Sequence, residues 1–403
     1  MSSLPLSGFR VLDFTWVIAG PYCCQLLATM GAEVIKIESQ RHIDLYRRLN
    51  TWAEGVPGPN RSGRYNSLNY SKRACTLNVS HPKGLTLAKE LVKKSDVVVE
   101  SMSYGVMDRM GLGYQALREL KPDIIMLSLS LMGQTGPDKE LMGFGPVMLA
   151  ATGLSRLTSY PGGRPYKVGG TWPDYTSSIG AAFAILAALH HRCQTGQGQY
   201  IDFALNDLTL SLLPEVITDY TMNGRIRQPE GNRDEIMAPH NVYRCLGEDK
   251  WVAIAVEGEG QWRAFCQVLG PPEWQEDQRF NDPFRRWQNQ GELDPLIEAW
   301  TRERTPYQVT EALQGVGVAA APSFDIADLV NDPHLQERGV FQEIDHPEVG
   351  KRQYIGIPWK LDGVDPRFDP APLLGVGNQY VFGDLLGLSP EEVRRLEEEK
   401  AIY

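Results

Sequence analysis

The sequence predicts an α/β protein, with a large, mostly parallel-sheet domain over residues 1–220 and 331–403 and a smaller α+β domain over residues 221–330. Three observations carry this. Strand-length apolar runs alternate with helical patterns as far as Ser130. After Tyr220 the chain turns polar and rich in Gly, Arg and Asn, and a different texture follows. At 403 residues it also exceeds the length of one average domain.

Phe9 to Thr15 (FRVLDFT) reads as a buried strand, Pro21 to Ala32 as a helix opened by proline, and Glu33 to Glu38 (EVIKIE) as the next strand. The pattern repeats with a helix from Pro82 to Lys94, a strand from Asp96 to Glu100, a helix from Tyr114 to Leu120 and a strand from Ile124 to Ser130. Such βαβ alternation implies parallel strands covered by helices. The first turn, TWVIAGP, lacks G-x-G-x-x-G, so NAD or FAD chemistry is not expected. Thr221 to Asp234 reads as a linker or mobile loop. Asn241 to Val256 then gives two strands around a turn at Gly247 to Asp249, and Gln261–Leu269, Leu293–Trp300 and Pro306–Gln314 are helical. From Asp332 the chain carries Pro358, Pro366, Pro370 and Pro372, which reads as a surface excursion ending in a helix from Ser389 to Lys400.

Composition narrows the function. With 42% hydrophobic and 22% charged residues the chain is ordinary globular material, and a net charge of −10 disfavours nucleic-acid or membrane-surface partners. The six cysteines show neither a C-x-x-C pair nor a zinc-like spacing, so no disulfide framework or metal site is expected. The start of the chain lacks a signal-peptide pattern and no stretch is long enough to span a bilayer, giving a cytoplasmic expectation.

Thr171 to Leu189, TWPDYTSSIGAAFAILAAL, sets Asp174 in front of a run of small and apolar residues that reads as a buried helix. Unpaired N–H groups and the positive end of the helix dipole would hold that carboxylate as an anion, ready to act as a nucleophile. The same arrangement is also an ordinary N-cap.

Several ordered blocks resemble the family III CoA-transferases, which include the α-methylacyl-CoA racemases. They are Leu6 to Glu38, LNYSKRACTLNV from Leu68, DVVVES with GVMDRMGLGY between Asp96 and Tyr114, LSLMGQTGP ending at Pro137, ALHHRCQTGQGQYIDFAL from Ala188, and NDPHLQERGVFQEIDHPEVG near the end. The resemblance implies a Rossmann-like large domain, two chains interlocked like links, and a nucleophilic aspartate at the position of Asp174. That carboxylate attacks the acyl-CoA thioester to give a mixed anhydride. Released CoA then forms an aspartyl-CoA thioester, and the incoming acid takes over the CoA. No permanently bound cofactor is implied; CoA thioesters are substrates.

By the same resemblance Val17, Ile18 and Ala19 line the thioester site, and Ile18, where some formate- and oxalate-using relatives carry Gln, makes it more apolar. Trp16 and Trp172 would add aromatic walls. A glycine loop closing over the site is matched by Gly231 and Asn232, with His240 near the substrate. The CoA-binding pattern at Val99 to Gly111 puts Arg109 on a phosphate and Met110 on the adenine, with Ser101 and Met102 standing where Asn and Phe are common. Lys72, Arg73 and Leu77 are the next expected contacts. Ser39 stands where many members carry Arg or Pro, leaving Arg41 or Arg47 as substitutes.

The racemase branch pairs its aspartate with a histidine in a G-H-D block, and here that block reads Gly143, Phe144, Gly145. Phenylalanine moves no proton, so racemization is disfavoured. His190 and His191 are read as structural. The expected activity is CoA transfer from an acyl-CoA such as succinyl-CoA to a dicarboxylic or aromatic acid. The chain would work as a homodimer or with a homologous subunit, as in the benzylsuccinate branch; a non-catalytic partner subunit is the contrasting reading, and retention of Asp174 counts against it.

Overall fold

The computed structural model describes residues 4–270 and 273–403. Two compact units emerge, one from Met1–Leu154, Lys167–Arg225 and Gly339–Tyr403, the other from Ser155–Tyr166 and Ile226–Arg338. Compared with the expected boundaries, Ser155–Tyr166 joins the smaller unit. It is tied there by Gly231 N donating to Ser159 O at 3.1 Å and, between side chains, by Asn232 Nδ2 donating to Tyr160 Oη at 3.2 Å.

The large unit is built on six parallel strands, β1 (Arg10–Phe14), β2 (Glu33–Glu38), β3 (Arg73–Thr76), β4 (Val97–Glu100), β5 (Ile125–Ser130) and β6 (Tyr200–Ala204), in the order β3-β2-β1-β4-β5-β6. This is the doubly wound order, whose direction reverses between β1 and β4. Side-chain alternation buries both faces. Leu12, Ile35, Val98 and Met126 meet helices Pro82–Lys93 and Tyr114–Leu120 on one side, while Val11, Val34, Val97 and Leu127 meet helices Ala19–Thr29 and Trp172–Thr195 on the other.

Helix Trp172–Thr195 lies against helix Ala19–Thr29 through Ser177, Ser178, Ala181, Ala182 and Ile185, small enough for close approach, and ends at Gly196 with φ +73°. The tail is more than an excursion. It contains an antiparallel hairpin, β10 (Phe341–His346) with β11 (Gly350–Ile355), and then runs beside β3, where Gly377 N donates to Ala74 O at 2.9 Å and Thr76 N to Asn378 Oδ1 at 2.8 Å. Helix Pro390–Glu398 closes it with a Ser389/Glu392 capping box.

The smaller unit holds three antiparallel strands, β7 (His240–Arg244), β8 (Trp251–Ala255) and β9 (Ala319–Ser323), in that order. Val252, Ile254 and Ala320 face helices Glu259–Leu269, Gln290–Thr301 and Pro306–Gln314. Among the described residues no helix is long and apolar enough to cross a membrane.

Candidate active site

At the reversal point the carboxyl ends of β1 and β4 lie side by side, with Phe14 opposite Glu100 and Trp16 N donating to Ser101 Oγ at 3.1 Å. Open α/β sheets bind ligands in this crevice. The loop leaving β1 is anchored from beneath by buried charge. Lys36 Nζ donates to Thr15 O at 2.7 Å, Lys72 Nζ to Pro21 O at 2.8 Å, and Val17 N faces both Asp44 carboxylate oxygens at 3.3 Å. Val17 itself has φ +71°. A β-branched residue there stores strain of about 1–3 kcal/mol, tolerated because the loop is over-determined. Val17 and Ile18 sit beside Tyr22, Tyr46 and Tyr65 in one apolar cluster.

Asp174 occupies the first turn of helix Trp172–Thr195, in surroundings that raise its carboxyl yet leave it mostly ionised at pH 7. The helix has no side-chain cap, Asp174 Oδ2 is buried without a hydrogen-bond partner, and burial pushes its carboxyl up to about 6, opposed only by its own backbone N–H. The turn is fixed by Ser178, whose Oγ lies 2.7 Å from both the Ala19 and Asp174 carbonyl oxygens. Gly145 makes room for the carboxylate, since a Cβ there would lie 2.7 Å from Asp174 Oδ2. Tyr175, Tyr46 and Gly145 therefore surround a carboxylate poorer in hydrogen bonds than a cap.

The residues expected around CoA divide. Ser101 and Met102 follow β4 at the crevice, where Met102 N donates to Glu100 Oε2 at 2.7 Å. Arg109 is exposed, with Nη1 3.5 Å from Tyr104 O, and Met110 lies against the core beside it. Lys72 is a correction. Its ammonium is fully buried and spent on Asp13 Oδ2 at 2.8 Å, Asn69 Oδ1 at 2.9 Å and Pro21 O, which leaves it nothing to give a phosphate. Arg73 is corrected too, because it starts β3 opposite Ile35, at the amino end of the sheet, where it pairs with Glu33 at 3.3 Å and covers the Tyr380 ring. Leu77 is 2% exposed and packs in the core with Leu87 and Phe382. Arg47, an expected substitute, is buried and committed to Glu38, Pro59 O, Asn60 and Pro372 O.

CoA-transferase family III matches residues 6–378. The chain is 33% identical to the succinyl-CoA:D-citramalate CoA-transferase of Chloroflexus aurantiacus, over 99% of this chain and 98% of that one. It is 31% identical to the beta subunit of the same organism's succinyl-CoA:L-malate CoA-transferase, over 100% and 99%. Among solved structures, a CAIB/BAIF family protein of Brucella suis is similar with a TM-score of 0.87 and 29% identity, covering 95% of this chain and 100% of that one. This chain belongs to CoA-transferase family III.

In this family III CoA-transferase, Gly231, Asn232 and His240 lie in the smaller unit, bordering a cavity of about 510 Å³ floored by Ala253, Ala255 and Ala319. Gly231 has φ +66°, and a Cβ there would meet the Tyr160 ring at 2.7 Å. His240 Nδ1 lies 2.7 Å from Asn232 O, and since a carbonyl only accepts, Nδ1 carries the proton. Sequence reasoning missed several residues of the large unit. Lys139 Nζ lies 2.9 Å from Tyr104 Oη and over that ring, so it and Arg109 converge on Tyr104. Glu100, the carboxylate ending the VVVE run of β4, is pushed by burial up to about 7. Its place at the end of a buried strand was the available signal; Tyr46, Arg64 and Tyr175 carried none.

Proposed function

We propose that the chain transfers CoA from a dicarboxylic acyl-CoA, succinyl-CoA being the expected donor, to a dicarboxylic or aromatic acid, with Asp174 as the nucleophile. The buried, unpartnered Asp174 Oδ2 beside the crevice carries this reading. A carboxylate stripped of solvent and hydrogen bonds is more reactive than a capping one. Oδ attacks the thioester carbonyl carbon, the C–S bond breaks, and CoA leaves as thiolate, giving a mixed anhydride. The thiolate then attacks the aspartyl carbonyl carbon and releases the donor acid as carboxylate. The acceptor carboxylate repeats these two steps in reverse, regenerating Asp174. Arg109 and Lys139 supply cations for the phosphates, and Val17, Ile18 and Ala19 form the wall nearest the acyl group.

Hydroxylamine or borohydride trapping during incubation with succinyl-CoA is expected to modify Asp174. A full-length chain that turns over without any adduct at that residue would reject the proposal. Because the carboxyl titrates near 6 in the folded chain, adduct formation should rise as pH increases through about 6 and level off above it. Stopped-flow rates between pH 5 and 8 check this; a rate falling over that range contradicts it.

We also propose a homologous partner chain. Tyr175, Ile179, Phe183 and Leu186 form an exposed apolar stripe on the nucleophile helix, with Phe183 72% exposed. A relative is named as one subunit of a larger transferase, consistent with such pairing. Phe183→Glu should therefore yield a monomer by light scattering, whereas the unaltered chain should run as a dimer. An unchanged mass for the variant would count against this face.

A further inference from the structure

Near Asp174 stands a cation that the transfer chemistry does not itself require. Arg64 begins helix Gly63–Asn69, is exposed, and places its guanidinium carbon 5.6 Å from the centre of the Tyr46 ring. Neighbouring arginines are already committed, Arg47 to Glu38 and Arg61 to Glu54. Among the described residues no carboxylate pairs with Arg64, in a chain with a net charge of −10.

Tyr46 and Tyr175 connect this cation to the nucleophile. Burial raises both hydroxyls, and Asp174 and Arg64 act on each from opposite signs, the carboxylate raising and the guanidinium lowering them. Tyr175 meets Tyr22 edge to face at 5.2 Å, and Tyr22 and Tyr46 share the apolar cluster of Val17 and Ile18. A carboxylate and a guanidinium therefore both lie beside one group of aromatic and aliphatic side chains.

We propose that Arg64 is a specificity-determining residue that takes the remote carboxylate of a dicarboxylic acyl group while the reacting carboxyl is held at Asp174. The inference rests on the nucleophile reading above. A guanidinium offers two parallel donors to a planar carboxylate, and an apolar span suits the intervening methylenes. An acyl group ending in methyl offers the guanidinium no partner and forgoes that charge-assisted contact, so the dicarboxylic donor is preferred.

The test compares succinyl-CoA with butyryl-CoA, of equal chain length, as donors for the unaltered chain, Arg64→Met and Arg64→Lys. For Arg64→Met, kcat/KM with succinyl-CoA should fall by about 10- to 100-fold, while butyryl-CoA is unchanged or improved. Arg64→Lys should keep part of the preference as a single-point charge. An equal fall for both donors, or no fall for either, overturns the assignment. Trapping at Asp174 is read separately from turnover. With saturating succinyl-CoA in the same trap, an adduct persisting in Arg64→Met shows that only the carboxylate reader was lost, whereas no adduct in the unaltered chain overturns the nucleophile reading and this inference with it.

Discussion

Replacing Asp174 by Asn is expected to cut CoA transfer roughly ten-thousand-fold or more while making the folded chain more stable at neutral pH. The amide is nearly isosteric, but it cannot attack a thioester. The stability gain follows from linkage. Burial lifts the folded carboxyl to about 6 from an ordinary value of 3.8, so the folded state holds that proton more tightly than the unfolded one. Its stabilising contribution is complete below about pH 4 and is lost as pH rises through about 6. At pH 7 the ionised group therefore costs the fold on the order of 3 kcal/mol, and Asn removes that cost. A thermal midpoint raised by a few degrees at pH 7, and by less at pH 4.5, is the expected signature. An N-cap role predicts the opposite, because losing a cap lowers stability by about 1 kcal/mol. An active Asp174→Asn, or one that melts earlier at neutral pH, would refute the account.

That contrast shows what one sequence can and cannot convey. The place of Asp174 was legible because a long run of small residues announces a buried helix and its first turn. Its protonation was not, since Gly145, Tyr46 and Tyr175 reach the carboxylate through folding. Strand β2 and helices Tyr114–Leu120 and Pro306–Gln314 could be read to the residue from local pattern. Strand β3, only RACT, could not, because its pairing partner is β2 and its outer edge is met by the distant tail at Gly377. Lys72 and Arg73 stood side by side as expected CoA contacts. Strand geometry separates them: one ammonium turns inward to a carboxylate 59 positions away in sequence, the other side chain stays at the amino edge.

Lys72→Met is the second substitution with a large expected effect, and it acts on folding. Lys72 and Asp13 form an ion pair at 2.8 Å with no exposed side-chain surface on either partner. Burial alone would raise the Asp13 carboxyl, but Lys72 and Lys36 outweigh it and bring the group down to about 2. Removing the ammonium leaves a buried carboxylate short of its nearest cation and strips donors from Asn69 Oδ1 and Pro21 O, at a cost of about 3–5 kcal/mol. The pH dependence should change with it. In the unaltered chain the depressed Asp13 contributes stability that is present above about pH 4 and lost as pH falls toward 2. In the variant that acidic loss should shrink, and lowering the pH should help by protonating Asp13. Urea titrations at pH 7 and pH 5 measure both effects, and adding Asp13→Asn should restore much of the lost stability through coupling between the two sites. Because Lys72 holds Pro21 O in the first turn of the helix that follows the Val17–Ile18 loop, any folded remainder should lose kcat more than affinity for CoA. A variant that folds normally but binds CoA weakly would instead give Lys72 the CoA contact that the resemblance implied.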